Sequence, residues 1–80
     1  MRTVKEKLYH YTVIFERNEN DGYTVTVPAL PGLVTEGKDL IEAKVMAEDA
    51  IRCYLEGLTK SDNQIPEELE IAQMRLSVKL

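Results

Sequence analysis

The chain is poor in the residue types from which reactive sites are built. It holds one cysteine and one histidine among 80 residues. Cys53 has no partner for an internal disulfide. It falls in a helical pattern and reads as a small buried or half-buried apolar residue. His10 and Cys53 are far apart in sequence and lack the ligand spacing of a zinc or iron centre, so no metal is expected. His10 lies between Tyr9 and Tyr11 on a strand pattern, which suits a packed or interface residue better than a base. The glycines spell neither G-x-x-x-x-G-K nor G-x-G-x-x-G, the spacings that cradle phosphates. No serine or cysteine stands in a nucleophile elbow. No catalytic residue and no cofactor are expected.

Long apolar runs are absent as well. None approaches the roughly 20 residues that cross a bilayer. The charged start M-R-T-V-K-E-K has no hydrophobic core behind it, so neither membrane association nor secretion is expected. A cytoplasmic location is the expectation. Positive charge is in deficit: 10 Lys and Arg face 14 Asp and Glu, a net charge of −4. Gripping nucleic acid directly calls for a basic face. An acidic domain of this size is better matched to a basic protein partner.

What is present is one domain's worth of chain, 44% hydrophobic and 30% charged, too apolar to remain disordered. A domain this small buries only about 60% of its unfolded surface. One helix on one sheet is close to its limit. The organising stretch is Gly22 to Gly37. Tyr23, Val25 and Val27 alternate with Thr24 and Thr26, the period of a half-buried strand. Pro28 ends the ladder because it donates no hydrogen. Pro31-Gly32 suits the centre of a type II turn, and Leu33 to Glu36 resumes an extended run.

Around this stretch, residues 1–7 are polar and expected to fray. Leu8 to Arg17 reads as a first strand with apolar groups on both faces. Asn18 to Gly22 is a hairpin turn, Asp-Gly being its strongest signal. Asp39 caps a helix, with Glu42 completing a variant capping box. Its inner stripe is Leu40, Ala43, Ala47, Ala50, Tyr54 and Leu58, widened by Met46, Ile51 and Leu55. Thr59 to Glu68 reads as a mobile polar loop, its acidic end a solvated surface. Alternation of Ala72, Met74, Leu76, Val78 and Leu80 with polar residues predicts a last strand over Ile71 to Leu80.

The predicted fold class is α+β, in the order β-β-β-α-β. A right-handed crossover puts the last strand beside the first, giving a single sheet of order 3-2-1-4 with one helix on one face. The uncovered face and the two-sided first strand predict a homo-oligomer, a dimer or higher, joined through the open face or a sheet edge. The same order occurs in ribonuclease H-like nucleases, which need carboxylates inside the first strand to hold two metals. Here the strand's only carboxylate is Glu16, at the hairpin end, and Asp39 and Glu42 are committed to capping. Nuclease chemistry is not expected.

Gly22-Tyr23-x-Val25-x-Val27-Pro28-x-Leu30-Pro31-Gly32, then Thr35-x-Gly37 and the helical pair Glu42-Ala43, closely resembles the HicB-type antitoxin domain. The likeness covers roughly Tyr11 to Leu58 and continues loosely to the last strand. It implies that residues 1–80 form a single HicB-like domain with a degenerate ribonuclease H-like fold. It further implies a non-enzymatic module that binds HicA-like toxins, small basic RNA-cleaving proteins, and covers their catalytic histidine. A C-terminal DNA-binding segment, common in the family, is not found before Leu80, so operator binding is not expected. The partner-binding residues expected on physical grounds are Tyr9, Tyr11, Pro28, Leu30, Pro31 and Gly32. A stand-alone oligomeric scaffold for another protein or ligand is the alternative.

Overall fold

A computed structural model describes residues 7–80; most of the N-terminal segment expected to fray, residues 1–6, lies outside them. Three strands, β1 (Ile14–Arg17), β2 (Tyr23–Thr26) and β3 (Val34–Gly37), precede one helix, α1 (Leu40–Lys60). They form an antiparallel sheet in the order β1-β2-β3. Register follows from the turns. Asn18 closes the first hairpin, its N–H donating to the Gly22 carbonyl at 2.9 Å. Its side-chain oxygen accepts from the N–H groups of Asn20 and Gly22, each at 3.0 Å. Ile14 thereby faces Thr26, and Phe15 faces Val25.

The second connection is the Pro28–Gly32 loop. Leu30 donates its N–H to Val27 at 2.9 Å, Leu33 donates to Leu30 at 3.2 Å, and Gly32 takes φ +84. Only glycine holds that angle without strain, which explains the residue after Pro31. Tyr54, from α1, donates to the Pro31 carbonyl at 3.0 Å and fastens the loop to the helix.

Asp39 is the N-cap: its carboxylate accepts from the Glu42 N–H at 2.8 Å, and the Glu42 side chain accepts from the Lys38 N–H at 3.0 Å. The helix lies over β2 and β3. Val25, Ala43 and Ala47 form one core cluster; Val27, Leu30 and Leu33 form another, beneath Tyr11, Ala50, Ile51, Tyr54 and Leu55. Alanines at the contact let the helix axis come close to the sheet. The sheet's other face carries Thr12, Thr24, Thr26, Glu16 and Glu36 besides Ile14 and Val34. It is largely polar, so the two-sided apolar face expected of the first strand reduces to Ile14.

Several expectations need correction. The first strand is four residues long rather than ten, because beyond Thr26 the proline loop turns away and residues 8–13 lose their partner. Residues 63–80 form neither helix nor strand, so among the described residues the fourth strand is not formed. Without it, the helix margin has nothing to cover. Leu40 and Met46, expected in the inner stripe, are exposed, as are Ile41 and Val45. Cys53, expected to be at least half-buried, is exposed too. The described residues span 64 × 27 × 23 Å. A helix of 21 residues is about 32 Å long, so the long dimension comes from extended segments outside the body.

Candidate functional site

The proline loop and the two expected tyrosines meet at one end of the domain, around the C-terminal half of α1. Pro28, Pro31 and Gly32 are exposed on the loop's outside. Leu30 is fully buried beneath them and offers no surface; it holds the loop from within. Tyr11 packs on the cluster under that loop. Tyr9 is 39% exposed and lies beside Arg52, Leu55 and Ile65.

Between residues 7–11 and 62–68 opens a cleft of about 1120 Å³, lined by Tyr9, His10, Tyr11, Glu67 and Glu68 among others. Its floor is a set of long-range hydrogen bonds. Tyr11 donates its hydroxyl to the Pro66 carbonyl at 2.6 Å. Glu68 accepts from the Thr12 N–H and, at 2.9 Å, from the Thr12 hydroxyl. Glu68 is therefore not the solvated surface residue its acidic neighbourhood suggested. It supplies the acceptor that Thr12, lying beyond the β1–β2 ladder, needs for its backbone. No local pattern announces this bond, because donor and acceptor are 56 residues apart. The Lys7 ammonium lies 5.5 Å from the Tyr9 ring centre, so this cleft already holds a cation over an aromatic face.

Burial, then the neighbouring Tyr9 and the Glu67 and Glu68 carboxylates, raise the Tyr11 phenol above its ordinary value of 10.0. The folded value exceeds the unfolded one, so this contribution to stability is intact below about pH 10 and is lost as pH climbs through the raised value. A phenolate also cannot donate to Pro66. Stability measured by urea unfolding is expected to fall between about pH 9 and pH 11, and Tyr11→Phe to flatten that fall. An unchanged slope in the variant would mean that other groups carry it.

A second concavity, of about 450 Å³, runs between β1 and the helix. Val13, Phe15, Leu40, Ala47 and Ile51 line it, with Lys44 and Glu48 at its rim. Neither β2 nor β3 borders it; it lies where a strand next to β1 would be covered by α1. Among the described residues no three His, Cys, Asp or Glu side chains converge as a metal site would require. No helix is long and apolar enough to cross a membrane among those residues.

The geometry defines a small α+β module that presents a proline-gated loop, an acidic aromatic cleft and an open sheet edge. The chain belongs to the HicB-like antitoxin family of bacterial toxin–antitoxin systems, which it matches over residues 11–79. It is 48% identical over 56 residues to a UPF0150 protein of Thermoplasma acidophilum, covering 70% of this chain and 81% of that one. A UPF0150 protein of Synechocystis is 31% identical over 68 residues, covering 85% and 86% respectively. An uncharacterised 14.9 kDa protein of Haemophilus phage HP1 is 38% identical over 63 residues; the match takes in 79% of this chain but 47% of the phage protein. No solved structure is a significant match.

Proposed function

We propose that the chain is a non-enzymatic antitoxin module that binds a small basic HicA-like toxin and covers its RNA-cleaving surface. Membership of the antitoxin family is the observation that carries this reading. The contact surface is the end of the domain described above: Tyr9 and Tyr11 in the cleft, and Pro28, Pro31 and Gly32 on the loop, with Leu30 behind them. Glu67 and Glu68 make that cleft acidic, and a tyrosine face accepts Lys or Arg from a basic partner. Net charge of −4 supports a protein partner over direct contact with nucleic acid. Inhibition is by steric occlusion in the cytoplasm, and the sequence gives the module no chemistry of its own.

The module works as a homo-oligomer, with residues 1–80 as one HicB-like domain. Met74, Leu76 and Val78 are each more than 70% exposed, with relative exposures of 75%, 74% and 82%. Burying such side chains contributes about 1.5–3 kcal/mol each. A fourth strand beside β1 would restore the order 3-2-1-4 of a degenerate ribonuclease H-like sheet.

The test is co-expression with a small basic protein encoded beside this chain's gene. Co-purification and rescue of growth are expected. Recovery of neither a complex nor growth rescue removes the antitoxin reading.

A further inference from the structure

Residues 71–80 are the least explained part of the molecule. Every one of them is exposed and none pairs with another strand. Yet Ala72, Met74, Leu76, Val78 and Leu80 alternate with Gln73, Arg75, Ser77 and Lys79, the pattern of a strand with one buried face. The family match runs through this arm to residue 79, so the arm is part of the module and not an appended tail.

The body has a vacancy of matching shape. Among the described residues β1 pairs on one side only. Asn18 and Gly22 form a hydrogen-bonded pair, and alternation along an antiparallel ladder turns the N–H and C=O groups of Phe15 and Arg17 outward. Under that free edge lies the apolar groove of Val13, Phe15, Leu40, Ala47 and Ile51. The arm carries Arg75 and Lys79 and no acidic side chain; Glu16 and Arg17 on the edge, and Lys44 and Glu48 on the groove, balance each other, so the arm's two cations meet no net repulsion there and join a chain of net charge −4.

We propose that the arm of one copy adds as a fourth strand to the β1 edge of a second copy, and the reverse, forming a two-fold dimer. Met74, Leu76 and Val78 enter the partner copy's groove, and the arm's backbone takes up the outward groups of Phe15 and Arg17. Ten residues of strand reach about 33 Å, more than the free edge from Val13 to Arg17 requires. The partner's arm is favoured over the chain's own because the chain's own arm extends beyond the body, with all ten residues in solvent. This inference rests on the oligomeric part of the functional reading and not on the toxin.

The experiment is sedimentation velocity on the full chain without toxin, alongside Leu76→Asp. That position is 74% exposed within one copy, so the substitution leaves the body intact. A dimer at micromolar concentration is expected, with dissociation at least about tenfold easier in the variant. A monomeric parent chain, including one whose own arm folds back, or a dimer indifferent to Leu76→Asp, overturns the proposal. The partner site is read by mixing isotope-labelled chains with unlabelled Cys53→Ser, Ser77→Cys chains carrying a spin label. Broadening at Phe15 and Ile51 is expected. Broadening confined to residues 71–80 would mean that the arms pair with each other, and also overturns it. An antitoxin that fails to dimerise this way would still rescue growth, so the two readings fail separately.

Discussion

Leu30→Ala is expected to cost about 2–5 kcal/mol of stability, read as a lowered urea midpoint with little change in slope. Leu30 is fully buried although it sits in a loop between two prolines. It fills the space between Val27 and Leu33, and Tyr11, Ile51, Tyr54 and Leu55 close over that cluster. Truncation leaves a cavity that this ring cannot easily fill, because the loop is pinned by Leu30's own backbone bonds and by Tyr54 on Pro31. Domains of this kind are stable by only on the order of 5–15 kcal/mol, so the loss is a large part of the whole. A change below about 1 kcal/mol would mean that the loop is not anchored by its leucine.

Gly37→Ala is expected to cost about 3 kcal/mol, a large effect for one methyl group. Gly37 ends β3, and a Cβ there would overlap the backbone of Ala43 in the first turn of α1. Backbone cannot rotate aside as a side chain can, so β3 or the helix must move and open the Val25, Ala43 and Ala47 cluster. Gly57→Ala is the internal control. Gly57 is exposed in the helix with nothing near its missing Cβ, so alanine there is expected to stabilise by about 0.5–1 kcal/mol. Equal signs at the two sites, in matched urea titrations, would refute the close approach of β3 to α1.

What could be read from the sequence was what is local. The Asn18–Gly22 hairpin, the turn at Pro31-Gly32 and the Asp39 cap each rest on residues within a few positions of one another, and all three form. The long-range features were harder. Alternation in residues 71–80 states that the segment can be a strand, but not whose edge it joins. The spacing of apolar residues defines the helix stripe but not how much of it the sheet covers, and the three strands leave Leu40 and Met46 exposed. The bond from Glu68 to Thr12 joins two stretches that, taken separately, read as an acidic loop and a strand. Of the loop residues expected to make contacts, Pro28, Pro31 and Gly32 are exposed, whereas the apolar Leu30 turns into the core.

The proposed function is occlusion of a toxin's active surface. The direct measurement is RNA cleavage by a purified HicA-like toxin, titrated with this chain. Loss of cleavage in proportion to added chain, complete when each toxin has one module, is the predicted result. Full cleavage in the presence of excess chain, or suppression by a small fraction of an equivalent, contradicts it.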